Sequence, residues 1–419
     1  MLGIHPDGGE VQSHSMIPFE EALEIVRSHA RTISPLKAET VPLFEAQGRV
    51  LARGLPVDRD QPAFNRSTRD GYALRALEAG TTLTIVGSAR AGDSYAGRIP
   101  PHCCVEIMTG APVPRDADCV VMLEHVDRSG DTIRLLNAHA VHDGLNIVKR
   151  GSEARIGELL LNPGTQIDPA AIAVAATCGF GEVSVFERPS IAILATGDEL
   201  VKVSATPSAY QIRNSNTYSL GALVRSEGAL PLLLEPAADN IRDLRLRIEA
   251  ARSADLLVLS GGVSAGRYDL VEPVLAELGA EFFFTSVAIQ PGKPVVFGRL
   301  PATAQQPAQY FFGLPGNPVS TFVTFLLFVR PLVAALAGAT VTRPAYALAT
   351  LIHEIAGKPG LTRFLPAILN ATHHKSEVAL RTWQGSGDTA ANLRANCYAV
   401  LPAEKESFHA GEVISILLR

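Results

Sequence analysis

A doubly wound α/β sheet accompanied by β-rich units is the fold class that this chain predicts, and three observations predict it. Between residues 190 and 338, short continuous apolar runs alternate with helical stretches, as strands buried on both faces of a parallel sheet require. Three of those runs break abruptly into loops of glycine, hydroxyls and acids: IAILATGDEL, LLVLSGGVSAGRYD and YFFGLPGNPVS. Short strand-like segments divided by Gly/Pro turns fill 58–142 and 339–419 instead, the signature of small β units.

Size and composition agree. A chain of 419 residues, 47% hydrophobic and 19% charged, is ordinary globular protein with room for about three domains. A net charge of −5 gives no general attraction to nucleic acid or an anionic membrane, so an anionic ligand must be held locally. Cys103, Cys104, Cys119, Cys178 and Cys397 show no Cys-x-x-Cys spacing and are odd in number, which fits reduced thiols in a cytoplasm. The segment MLGIHPDGGEVQSHSM lacks the basic start and apolar core of a signal peptide. The most apolar stretch, 322–337, is interrupted by Arg330 and Pro331 and reads as too short to span a bilayer. A soluble, cytoplasmic protein is expected.

Taken in order, residues 1–16 read as a disordered tail, and 18–33 carry Leu23, Ile25, Val26 and Ala30 at helical spacing. After the β-rich unit, 144–188 return to mixed structure, with a helix at 169–177 that Asp168 caps and Pro169 starts. Helices at 220–227, 241–251 and 270–278 alternate with the α/β strands. The segments YALATLIHEI, FLPAILNA, CYAVLPA and EVISILLR read as strands of a small barrel or sandwich.

Chemistry concentrates where strands end. In open α/β sheets, ligands collect in the crevice beyond the strand carboxyl ends, so the three loops should converge there. Asp198 and Glu199 follow Thr196-Gly197; either carboxylate can reach a hard cation, or both can favour the positive end of a helix dipole. Gly261-Gly262 lets backbone approach a ligand, with Ser260 and Ser264 as hydroxyl donors and Asp269 close behind. The loop is neither a Walker P-loop nor a dinucleotide fingerprint. In GLPGNPVS, a stiff turn of Pro315, Gly316, Asn317 and Pro318 leaves the N–H groups of Gly316, Asn317 and Val319 near a helix start, a ready anion site. Lys293, in QPGKPVVFG, can hold phosphate as a point charge. Asp70-Gly71 and the Thr109 loop read alone as tight turns. Neither His373-His374 nor His139 with His142 has partners at metal-ligand spacing.

In this order, the loops resemble the molybdopterin molybdenumtransferase family, which includes bacterial MoeA and the E domain of gephyrin. The resemblance rests on DRDQPAFNRSTRDGYALRA, IMTGAPVPRDADCVVMLEHV, NIVKRGSEARIGELLLNPGT, ILATGDEL, QIRNSNTYSL, LSGGVSAGRYDLV, IQPGKPVVFG and GLPGNPVSTFVTFLLFVRP. It implies a multidomain elongated subunit of α/β plus β-rich domains: a doubly wound molybdopterin-binding α/β domain (189–338), a β-rich domain (58–142) inserted into an N-terminal mixed domain (17–57 and 143–188), and a C-terminal small β-barrel (339–419). It also implies a homodimer with the active site between subunits, and leaves room for an adenylyltransferase as partner. The implied reaction takes adenylylated molybdopterin and molybdate, with Mg²⁺, to molybdenum cofactor and AMP. Alternatives are an adenylyltransferase-like enzyme and a non-catalytic cofactor-binding scaffold.

Carried over residue by residue, Asp70 and Thr109 match functional positions of the inserted domain. Glu199 and Asp269 match acidic positions around pterin and metal, with Asp198 as a secondary ligand. Lys293, Pro315 and Pro318 match the PGKP and LPGNP loops. Gly261, Gly262, Ser264, Asp239, Asn216, Gly316 and Asn317 are expected at the cofactor. The chain departs from the family at Asn240, Gln290, Glu153, Arg66, Thr68 and Arg69.

Overall fold

The computed structural model describes residues 16–263, 269–340 and 344–419. The tail read at 1–16, apart from Met16, and Ser264 lie outside the described residues. The fold is multidomain, α/β and β-rich, as expected.

Its centre is a six-stranded sheet in the order Leu230–Leu233, Ser190–Ala195, Leu256–Ser260, Gln309–Leu314, Val296–Leu300, Glu281–Phe284. The first four strands run parallel, Val296–Leu300 runs antiparallel to them, and Glu281–Phe284 reverses again. Period-2 alternation divides the strands between two cores. Ile191, Ile193, Leu256 and Val258 face the helices Phe19–Thr32 and Asn216–Ser226. Ala192, Leu194, Leu257 and Leu259 face Ile241–Ala251 and Val271–Glu277. Burial on both faces explains why these strands read as unbroken apolar runs. The chain leaves Ser190–Ala195 for the edge strand and returns to Leu256–Ser260 on the other side, so the strand order reverses between those two strands.

The helix expected at 220–227 begins four residues earlier, at Asn216, because the Asn214 side chain accepts from the Thr217 N–H at 3.2 Å. The apolar stretch read as too short for a bilayer is a continuous helix, Pro318–Leu336, of 19 residues with mean hydropathy 2.0. By length and composition it passes for a membrane span, but it is 83% buried within the protein. A π-helical turn, Phe325–Val329, accommodates Pro331 just beyond it, where the regular ladder is already broken. Arg330 pairs with Glu227 at 2.7 Å, both largely buried.

The β-rich unit holds a second six-stranded sheet: Cys119–Met122, Gly71–Leu74, Cys103–Ile107, Leu83–Ala89, Thr132–Leu135, Val126–Ser129. Gly71 is required there, since a Cβ would collide with the Val121 carbonyl across the strand pair. The chain enters and leaves along an antiparallel ribbon, Leu55–Pro56 against Leu159–Leu161 and Arg66–Ser67 against Ile147–Val148. Two ion pairs lace this ribbon, Arg66–Glu153 and Arg150–Asp60, each at 2.8 Å. Beyond the ribbon, helix Pro169–Thr177 starts as expected, with the Asp168 carboxylate accepting from Ala171 N at 2.7 Å.

At the C-terminal end, Thr362–Ala371, Ser376–Leu380, Tyr346–Leu351, Val413–Leu418 and Cys397–Leu401 pair in a ring that closes on the first strand, a five-stranded barrel. Ile289–Gln290, from the α/β part of the chain, adds in parallel to Thr362–Ala371. All five cysteines are free thiols, and burial pushes Cys104 and Cys119 up to about 12.

Candidate functional site

A cavity of about 790 Å³ opens where the parallel strands end, lined by all three strand-end loops. The antiparallel strand adds a fourth. Val296 pairs with Gly313 near the end of Gln309–Leu314, so the loop before Val296 reaches the same end of the sheet and Pro294 lines the cavity.

The first loop is a turn and not a helix start, which removes the dipole reading of its acids. Leu200 N donates to Gly197 O at 3.1 Å, and Leu200–Val201 pairs in parallel with Ile212–Arg213. Glu199 lines the cavity; Asp198 does not. Instead Asp198 and Asp239 each accept the other's backbone N–H, at 3.0 and 3.2 Å, and Asp239 lines the wall.

The second loop folds directly onto the first. Gly261 and Gly262 have φ of +96° and +66°, and a Cβ on either would lie 2.8 Å from Thr196 atoms. The N–H of Gly261 is already bonded to Leu314 O at 3.0 Å, so it is not offered to an anion. Asp269 lines the cavity. Burial, and then the nearby Asp269 charge, hold the Glu272 carboxyl above the usual carboxylate range.

In the third loop, Pro318 occupies the first helical turn, as expected. Val319 N donates to Ser386 O at 2.9 Å, so it too is unavailable. The N–H groups of Gly316 and Asn317 have no partner among the described residues. Pro315, Gly316, Asn317 and Pro318 all line the cavity. Asn216 lines it as well, but its amide is committed. Nδ2 donates to Ser260 Oγ at 2.9 Å and to Gly316 O at 2.7 Å, tying the second loop to the third. Its Oδ1 and the Thr196 Oγ1 are buried without a partner among the described residues.

Sequence reasoning missed three contributors. Arg213 is a cation on the lining, and Gly387 with Thr389 bring a wall from the C-terminal barrel, docked through the Val319–Ser386 bond. The QGSGDT run around them carried glycine and hydroxyls, but it follows no apolar strand-end pattern. Lys293 is exposed and does not line the cavity; its carbonyl accepts from Val287 N and Val295 N at 3.0 and 3.1 Å.

Asp70 and Thr109 also stand outside the cavity, though they meet each other. Asp70 Oδ1 accepts from the Thr109 backbone N–H at 2.6 Å and from its hydroxyl at 2.9 Å. Those two donors, the backbone one first, hold the exposed Asp70 carboxyl below its ordinary range. Thr109→Val keeps the backbone bond and removes the other, so the Asp70 pKa should rise part of the way back. A carboxyl-carbon NMR titration of the two proteins measures that shift; an unchanged pKa would mean the hydroxyl contributes nothing.

This arrangement defines an α/β enzyme with a crevice suited to an anionic small molecule. Three family models match: the MoeA N-terminal region (domain I and II) over 17–179, a probable molybdopterin binding domain over 192–335, and the MoeA C-terminal region (domain IV) over 349–418. The molybdopterin molybdenumtransferase of Staphylococcus aureus (strain Mu50) is 32% identical over 419 residues, covering 97% of each chain. That of Haemophilus influenzae is 33% identical over 390 residues, covering 91% of this chain and 94% of its own. The crystal structure of molybdopterin biosynthesis moeA protein from Pyrococcus horikoshii OT3 superposes with a TM-score of 0.76 at 28% identity, covering 97% and 100%. The chain belongs to the molybdopterin molybdenumtransferase family and is a transferase of molybdenum cofactor biosynthesis.

Proposed function

We propose that the chain inserts molybdenum from molybdate into adenylylated molybdopterin, releasing AMP and molybdenum cofactor. The observation that supports this most is the closure of three strand-end loops on one cavity that carries both Glu199 and Asp269. The substrate's phosphates meet the Gly316 and Asn317 amides at the helix start. Molybdate, a dianion, takes the same amide-rich loop around Pro315–Pro318, with Arg213 on the same lining. Asn216 holds the loops at fixed spacing, so the amides need no rearrangement as charge develops on the leaving AMP. Lys293, on the neighbouring loop, adds a mobile positive charge for that leaving group.

The donor set fits Mg²⁺ in one way. Among the described residues, no group of three or more His, Cys, Asp or Glu side chains comes together. Magnesium is commonly held by one or two carboxylates plus substrate phosphates and water, and Glu199 with Asp269 supply that number. Asp198 then acts through Asp239 and not as a ligand. When bound, the ion neutralises charge on the phosphates of the bond being cleaved.

Asp70 and Thr109 lie off the cavity of their own chain, which favours a homodimer in which each inserted domain serves the partner's crevice. An adenylyltransferase acting upstream in the cytoplasm delivers the adenylylated substrate. The test is AMP release from purified protein given adenylylated molybdopterin and Mg²⁺, with and without molybdate. Molybdate-dependent release with active cofactor as product is expected; ligand that stays bound and intact points to a carrier.

A further inference from the structure

A second cleft, of about 540 Å³, lies away from the crevice against the C-terminal barrel. Its floor is the junction where Gln290 pairs with Arg363, and its walls include Lys358, Arg381, Trp383 and Glu354. It shares no lining residue with the crevice. Nothing in the transfer reaction described above uses it.

Its charge is lopsided. Lys358, Arg363 and Arg381 pair with no carboxylate among the described residues, while Glu354 stands 3.9 Å from His409. In a chain of net charge −5, three unpaired cations on one cleft are a local inversion that attracts an anion. The floor is also unfinished. Arg363 spends one guanidinium nitrogen on Ala356 O at 2.8 Å, but its Nε and the neighbouring Gln290 Oε1 are buried without partners among the described residues. Orphaned buried polar groups cost free energy that an occupant, or water, would recover.

The remaining wall is aromatic. Trp383 packs against both the α/β core and the barrel core from a half-buried position, and also lines the cleft. Indole beside several cations recognises a planar ring that bears an anionic group. A bare oxyanion would leave the indole and the aliphatic wall of Ile355, Leu365 and Leu380 without a role. The volume lies within the range of small-ligand pockets.

We infer that this cleft is a second site that binds a nucleoside monophosphate, its base on Trp383 and its phosphate among Lys358, Arg363 and Arg381, with Glu354 accepting from base or ribose. The choice of AMP as the nucleotide rests on the reaction proposed above, whose product it is; occupancy would then feed product level back to the enzyme.

Trp383 is the chain's single tryptophan, so its fluorescence reports the cleft directly. The full-length protein is titrated with AMP, adenosine, inorganic phosphate and molybdate, as wild type and as Arg381→Glu. Arg381 is exposed and off the crevice, so the variant should keep its melting temperature. The expected result is a saturable change with AMP, weaker by about tenfold or more for adenosine and phosphate, and weakened to a similar degree by Arg381→Glu. Three results overturn the proposal: no response to AMP, a response unchanged in Arg381→Glu (a signal relayed from the crevice), or molybdate and phosphate matching AMP (a bare oxyanion site). Each is read as binding, without turnover, so loss of AMP release in a separate assay would not be mistaken for loss of this site.

Discussion

Asp269→Asn is expected to reduce AMP release by at least about a hundredfold while leaving the fold intact, because it removes one negative charge from the crevice at nearly constant shape. The side chain lines the cavity just before Val271–Glu277, where the second strand-end loop rejoins a helix. Packing of the loop on Thr196 should therefore survive, and the melting temperature should move by no more than about 2 °C. A second readout separates charge from shape. Burial is the larger cause of the raised Glu272 pKa and the Asp269 charge the smaller, so the variant should lower that pKa without returning it to the ordinary value. If Glu272 titrates lower and AMP release is unchanged, the charge was removed and the reaction did not need it, and Asp269 leaves the mechanism. Glu199→Gln is the companion variant, since two carboxylates holding one ion should each be indispensable.

The parts of the fold that were legible in the sequence are those whose signal is local. Strands buried on both faces must be apolar at every position, so Ser190–Ala195, Leu256–Ser260 and Gln309–Leu314 declared themselves as runs, and their glycine-rich ends pointed to one crevice. Helix Ile241–Ala251 spans the residues expected of it, and in the structure the Asn240 side chain caps it by accepting from Asp243 N at 2.9 Å. What escaped depends on groups distant in sequence. Whether an N–H is free or spent is set by its acceptor, and Gly261 and Val319 are silenced by Leu314 and Ser386. The commitment of Asn216 to Ser260 and Gly316, 44 and 100 residues away, has no local signature. The wall from Gly387 and Thr389 exists only because a separate barrel docks on the helix that starts at Pro318. Motif position points to Lys293, yet the cavity takes the neighbouring Pro294. The apolar helix Pro318–Leu336 is longer than its sequence suggests, because a π-helical turn carries it past Arg330 and Pro331, which read as interruptions.

Mixing two inactive variants should restore activity. Asp70→Ala damages the inserted domain and Asp269→Asn damages the crevice, and neither touches the other's surroundings. If each crevice is served by the partner's inserted domain, a mixed dimer contains one site with both defects and one with neither. Random exchange makes half the dimers mixed, and half of their sites whole, so activity should recover to about a quarter of wild type. A site built within one chain gives the opposite result, because every site in every dimer then carries one defect and mixing restores nothing. The experiment needs subunit exchange, which is checked by mass on a differently tagged pair before activity is read. The Asp70 turn makes the comparison sensitive: its carboxyl is fixed by two bonds from Thr109 and is exposed, so it is oriented by its own domain and yet faces outward. The Thr109 bonds account for its order within the chain, and the mixing experiment decides whether the exposed carboxylate also meets a partner's crevice.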